Sequence, residues 1–155
     1  MFIISAKLNP RKAIAFVILL GVFFIAVILL VRVLQHREIP SEKLITAATE
    51  EERVEYLRTL GWEIEPSPSE ILQFFLPQPL STSYQEYNTL QLEQGFDLTP
   101  YAGMSVKRYS YTVTNHPDYS QNVQADLYLC GDVIIGGDIL YSGEGSFVAS
   151  LVYPG

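Results

Sequence analysis

The first pattern along the chain is an unbroken apolar run. Ala13 to Val31 contains no charge, and fifteen of its nineteen residues are Leu, Ile, Val or Phe. A helix rises ~1.5 Å per residue, so such a run covers roughly 28 Å, close to the ~30 Å hydrocarbon core of a bilayer. An amphipathic core helix needs a polar stripe at 3.6-residue spacing, and this run has none. A cleaved signal peptide usually carries ~7–15 apolar residues and ends at a small-x-small site. Here the run is longer and passes into Val31-Arg32-Val33-Leu34-Gln35-His36-Arg37. The pattern predicts an uncleaved transmembrane helix over 13–34, in contact with the lipid bilayer. It follows a lead over 1–12 and precedes a juxtamembrane stalk over 35–48 that contains Pro40.

Past the stalk the pattern changes twice. Thr49-Glu50-Glu51-Glu52 predicts a capping box at a helix start, and Val54, Leu57 and Leu60 then share one helical face. Gly61 is placed to end that helix, and Trp62 and Ile64 to run back over it. Ile71 to Leu76 is an apolar run closed by Pro77 and Pro79, which predicts a strand near a sheet edge. Leu80, Tyr84, Tyr87 and Leu90 return to helical spacing over 81–94, and Gly95 stops that helix. The turn from Phe96 to Gly103 is expected to plug one end of the core.

From Met104 the period is two. Tyr109, Tyr111 and Val113 alternate with Arg108, Ser110, Thr112 and Thr114, as in a half-buried strand. Val123, Ala125, Leu127 and Leu129 alternate again, and Val133, Ile135, Gly137 and Ile139 follow the turn at Gly131-Asp132. Pairing Leu129 with Val133 puts all eight on one sheet face, whereas a one-residue slip scatters them. Phe147 to Tyr153 makes a last strand. The expectation is an α+β domain over 49–155. In it, two helices pack on one face of an antiparallel sheet of about four to five strands.

Charge sets the direction and narrows the partners. Lys7, Arg11, Lys12 and the amino terminus precede the apolar run; Arg32 and Arg37 follow it, with Glu38 and Glu42 close behind. The positive-inside rule then predicts a cytoplasmic N-terminus and a domain outside the membrane. From 41 to 155 there are five Lys and Arg against sixteen Asp and Glu, hence −11. Such a surface repels nucleic acid and anionic headgroups and suits cations or basic peptides. Cys130 is the only cysteine, so no intrachain disulfide is possible. His36, His116 and Cys130 lack partners at zinc-ligand spacing, and neither metal nor cofactor is expected.

Several of these stretches together resemble a known family. They are Glu51 to Glu63, Tyr87-Asn88 to Leu90, Gln94 to Leu98, Val106 to Tyr111 with Val113-Thr114-Asn115, and Ile135-Gly136-Gly137-Asp138. They are similar to the domain of unknown function 4830 family, short membrane-anchored proteins of Gram-positive bacteria. The resemblance spans about 49–153 and implies an exported bacterial domain with no assigned activity. The glycine-rich final hairpin is also similar, more loosely, to small PepSY-type domains.

Candidate chemistry is sparse. In the register above, Asp126 and Asp138 lie diagonally on the outer sheet face, where two carboxylates at ~7–8 Å bind a cation, divide acid and base roles, or keep the sheet soluble. His116 is the only histidine in the domain, and no serine lies in a nucleophile elbow. Tyr109 and Tyr111 read either as amphipathic sheet residues with their hydroxyls in water or as an aromatic binding surface for glycan or peptide, with Lys107 and Arg108 as its polar contact. The leading expectation is a non-enzymatic binding module taking another envelope protein or a wall component. The alternative is an envelope hydrolase or cation-dependent enzyme using Asp126, Asp138 and His116.

Overall fold

A computed structural model describes residues 19–28 and 44–154. The chain divides into two compact units, 1–39 and 40–155. In the first, residues 19–28 are α-helical (α1), and Leu19, Val22, Phe23, Phe24 and Ile28 stand exposed on it. Among the described residues no helix is long and apolar enough to cross a membrane. The lead over 1–12, the rest of the expected span (13–18 and 29–34) and most of the stalk (35–43) lie outside the described residues.

The second unit is α+β, as the change of period predicts. Its elements run α2 (Glu50–Thr59), β1 (Glu70–Phe75), α3 (Thr82–Glu93), a 3-10 turn (Thr99–Tyr101), β2 (Ser105–Thr112), β3 (Val123–Cys130), β4 (Val133–Tyr141) and β5 (Phe147–Ala149). The five strands form one antiparallel meander in the order β1-β2-β3-β4-β5.

The helix ends follow the local chemistry. The Thr49 hydroxyl accepts from the Glu52 N–H at 3.2 Å, and the Glu52 carboxylate accepts from the Thr49 N–H at 3.0 Å, closing the capping box. Gly61 follows α2 with φ +99°, a conformation that costs a side-chain-bearing residue and not glycine. Ser81 caps α3, its hydroxyl accepting from the Tyr84 N–H.

The helices do not share a face. Val54 and Leu57 of α2 pack with Trp62, Ile64, Tyr111, Val113, Val123, Ala125, Leu127, Leu129 and Ile139. Tyr84 and Tyr87 of α3 pack instead with Val106, Ile135, Phe74 and Tyr128. Side chains alternate across a strand, so Val106 and Tyr111 face opposite ways. Each helix therefore covers one side of the sheet, which corrects the one-face arrangement expected above.

The register of the last hairpin differs too. Leu129 pairs with Ile134 and not with Val133, and the register shifts between Tyr128 and Leu129. Tyr128 pairs with Gly136, which leaves Ile135 as an extra residue on β4. The bulge puts Ile134 into the α2 side while Val133 and Ile135 turn to the α3 side. A strict period of two cannot anticipate an inserted residue. Gly137 is needed next to it, because a Cβ there would meet the Asp126 carbonyl oxygen at 2.7 Å and the Leu151 side chain.

Two glutamines close the sheet where β5 ends. The fully buried Gln91 accepts from the Gly137 N–H at 2.9 Å and donates to the Gly137 carbonyl at 3.0 Å. Gln94 donates to the same carbonyl at 3.2 Å and accepts from the Leu151 N–H at 2.7 Å. The amide of Gln91 thus replaces a neighbouring strand. Gln91→Ala orphans the buried Gly137 N–H, while Gln94 still serves the carbonyl. The expected loss is ~2–3 kcal/mol, from one unsatisfied donor and the lost bonds. Urea denaturation measures it, and a loss well under ~1 kcal/mol would contradict this role.

Candidate functional site

The sequence candidates fall on two sides of the sheet. On the α3 side, Asp126 and Asp138 stand directly opposite each other in the β3–β4 ladder, not diagonally. Directly paired residues in such a ladder have Cα atoms ~4.5–5.5 Å apart. Neither carboxylate is solvated: they are 2% and 3% exposed. The outer face expected to be wet is covered by α3.

The surroundings of the pair are polar but short of cations. The Tyr87 hydroxyl of α3 donates a short hydrogen bond to Asp138 Oδ2. Arg108 of β2 brings Nε to 3.6 Å from Asp126 Oδ2 and also pairs closely with Glu70 of β1. Asp126 Oδ1 and Arg108 Nε have no hydrogen-bond partner. One arginine shared between two carboxylates cannot neutralise a third. Burial pushes the Asp138 carboxyl up to about 7, against the pull of the Tyr87 hydroxyl and with the Asp126 charge adding to the rise. Burial raises Asp126 also, and the Ser110 hydroxyl and then Arg108 offset this only in part. The same burial raises the Tyr87 and Tyr128 phenols. Burial and the mutual repulsion of two facing carboxyls both favour the protonated form of Asp138. Beside them a cleft of about 220 Å³ is lined by Ser83, Tyr84, Tyr87 and Tyr128. Among the described residues no group of three or more His, Cys, Asp or Glu is placed to hold a metal ion.

The aromatic binding surface is not formed by these tyrosines. Tyr111 is fully buried, and its hydroxyl accepts from Arg53 Nε at 3.0 Å. The Arg53 guanidinium lies 4.0 Å from the Tyr109 ring centroid and donates to the Ala48 carbonyl at 2.9 Å. Arg53, buried on α2, therefore seals the face that Tyr109 and Tyr111 would present. Lys107 is exposed, and its neighbour Arg108 points to the opposite side of the sheet, toward Asp126.

The accessible aromatic surface lies instead around His116. Its ring stacks on Trp62 at 5.8 Å and meets Tyr119 at 5.0 Å and Phe147 at 6.5 Å. Tyr119 stacks in turn on Tyr141 at 4.0 Å. His116 Nδ1 accepts from the Asp118 N–H at 3.2 Å, which leaves Nε2 free of that bond. An open groove of about 440 Å³ is lined here by Trp62, His116, Asp118, Tyr119, Ile139, Phe147, Ala149, Ser150, Val152 and Pro154. It belongs to the α2 side, so His116 shares no site with Asp126 and Asp138.

Sequence reasoning missed Tyr87, Tyr128, Arg53 and Gln91 as site-forming residues. Tyr87 was legible only as an apolar helix position, and no spacing pointed its hydroxyl at Asp138. The groove draws Trp62, Tyr119 and Phe147 from three separate segments, which no local pattern joins.

The comparisons with known proteins agree with the sequence resemblance. Residues 56–139 match the sequence model described as Domain of unknown function (DUF4830). No curated protein and no solved structure matches the chain. The match covers more than half of the chain and takes in α3, the buried carboxyl pair and the bulged hairpin, so the chain belongs to the domain of unknown function 4830 family.

Proposed function

We propose that the chain is a single-pass membrane protein whose α+β domain is a non-enzymatic binding module outside the membrane. Residues 13–34 cross the bilayer, with 1–12 in the cytoplasm. Its support is the charge-free run Ala13–Val31 and the excess of basic residues before it. The helical part at 19–28, with its large apolar side chains exposed, fits the same reading.

One observation carries the binding reading. The groove around His116, about 440 Å³, is open, walled by aromatic rings and carries few polar groups. Rings offer large contact area at little entropic cost, and His116 Nε2 and Asp118 supply direction. Another envelope protein or a wall component is the ligand that fits the location. The carboxyl pair that an acid–base reading needs is buried beneath α3 and separate from His116.

Photo-crosslinking from Tyr119 in intact membranes tests this. A photoreactive phenylalanine at 119 is expected to give discrete adducts, whereas one at the exposed Leu92 of α3 gives none. Adding His116→Ala is expected to weaken the adducts. Equal labelling from 92 and 119, or adducts indifferent to His116, would contradict a binding role for the groove.

A further inference from the structure

β1 is an open sheet edge with unusual exposure. Among the described residues it pairs with β2 on one side and has no strand on the other. Its sequence, Glu70-Ile71-Leu72-Gln73-Phe74-Phe75, holds no proline and no lysine. Ile71, Leu72 and Phe75 are 57%, 44% and 74% exposed. Native proteins blunt free edges with charge, proline, bulges or very short strands. β5, at the other edge, is only three residues long. Between its ends β1 carries none of these devices: its one charge, Glu70, stands at the first position and is paired with Arg108, and Pro68 and Pro77 merely bracket it.

We propose that β1 pairs antiparallel with β1 of a second copy of this chain, about a two-fold axis at Gln73, joining two sheets into one. The register follows from the hydrogen bonds already made. The Leu76 N–H donates to the Met104 carbonyl at 3.0 Å, and the Gly103 N–H donates to the Leu76 carbonyl at 2.9 Å, so Leu76 bonds inward. Backbone groups alternate in direction along an antiparallel strand. Leu72 and Phe74 then bond toward β2, and Ile71, Gln73 and Phe75 aim their N–H and C=O groups at the open edge.

Two outward residues must face each other for a ladder to form. A two-fold axis at Gln73 does this with the greatest overlap. Gln73 meets its own counterpart, and Ile71 meets Phe75 of the second copy on both sides of the axis. Each such pair exchanges two N–H···O bonds. The side chains match as well. Ile71 and Phe75, both exposed on the same sheet face, become direct cross-strand neighbours. On the other face Leu72 comes opposite Phe74. An axis at Leu72 would set Ile71 against Gln73 and Phe75 against Ser69, and one at Phe74 would set Phe75 against Gln73, so neither brings Ile71 and Phe75 together.

Charge does not oppose the pairing locally. Glu70 sits at the strand end and is held by Arg108, and Lys107 lies beside Gln73 on β2. The contact is isologous, so it closes at two copies and does not propagate.

Disulfide trapping tests the axis directly. Residues facing each other in such a pair have Cα atoms ~5.5 Å apart, within the range a disulfide spans. In the full chain carrying Cys130→Ser, Gln73→Cys is expected to give a disulfide dimer of twice 17.5 kDa on mild oxidation. Val148→Cys, exposed on the β5 edge, is expected to stay monomeric. Ile71→Lys with Phe75→Lys, both at exposed positions, is expected to abolish the dimer in sedimentation of the detergent-solubilised chain with unchanged circular dichroism. The proposal is overturned if Gln73→Cys gives no dimer or links to a different protein. It is equally overturned if Val148→Cys cross-links as well, or if the lysine variant remains dimeric.

Discussion

Asp138→Asn is expected to stabilise the domain at pH 8 and to leave it nearly unchanged at pH 4. The cause is the burial of a second carboxyl beside Asp126 with only Arg108 for both. In the folded chain Asp138 ionises near pH 7, pushed up first by burial. In the unfolded chain an aspartate ionises at ~3.9. Below ~4 both states hold the proton and the site costs nothing. Between ~4 and 7 the unfolded state releases it and the folded state does not, so stability falls by ~1.4 kcal/mol per pH unit. Above 7 the penalty is complete, on the order of 2–4 kcal/mol. Asparagine keeps an oxygen for the Tyr87 hydroxyl and cannot ionise. The wild-type melting temperature, followed by near-ultraviolet circular dichroism, is therefore expected to drop from pH 5 to pH 8, and that of Asp138→Asn, which keeps Asp126, to drop by less. Parallel curves for the two chains would show that Asp138 is already ionised in the folded state. Asp126, raised in the same direction, adds to the wild-type slope.

Trp62→Ala is expected to be the costliest single truncation, at ~3–5 kcal/mol for a large buried aromatic. Trp62 is 1% exposed and packs in the cluster under α2. Its Nε1–H donates to the Leu151 carbonyl at 2.7 Å, and its ring meets Tyr153 edge-on at 4.8 Å. Truncation leaves a cavity, an unpaired carbonyl and a groove whose floor under His116 is gone. Trp62→Phe keeps most of the apolar contact but not the donor, so its loss is expected to be smaller. Urea titration followed by circular dichroism gives both values, since the chain has no other tryptophan to report by fluorescence. A change below ~1 kcal/mol for Trp62→Ala would mean that the core does not close on this ring.

What was legible in the sequence was mostly local. The Thr49–Glu52 box, Gly61, Ser81 and Gly95 mark helix ends through bonds and conformations reaching a few residues. The edge position of β1 was readable from the prolines after it. What was not legible depends on residues far apart in the chain. Ser110, Asp126 and Asp138 read as the wet face of alternating strands, yet α3 lies over them, and nothing local states that a sheet is covered twice. Ile135 slips the register because one residue bulges, and alternation carries no mark of it. Asn88 and Gln91 occupy the buried stripe of α3, where a helical pattern looks for apolar side chains. Gln91 is there because β5 stops short of Gly137, and Asn88 because it accepts from the Leu98 N–H at 2.7 Å and binds Asp97. The candidate surface moved from Tyr109 and Tyr111 to His116 and Tyr119 for the same reason: Arg53, nearly sixty residues upstream, closes the first.

The proposed anchoring puts residues 13–34 in the bilayer and the α+β domain outside the membrane. Protease added to right-side-out membrane vesicles tests this most directly, with the two ends of the chain tagged separately. The expected result is loss of the C-terminal tag, protection of the N-terminal tag, and retention of the protected fragment in the membrane after alkaline carbonate. A C-terminal tag that survives until the vesicles are opened, or a full-length chain released by carbonate, would contradict it.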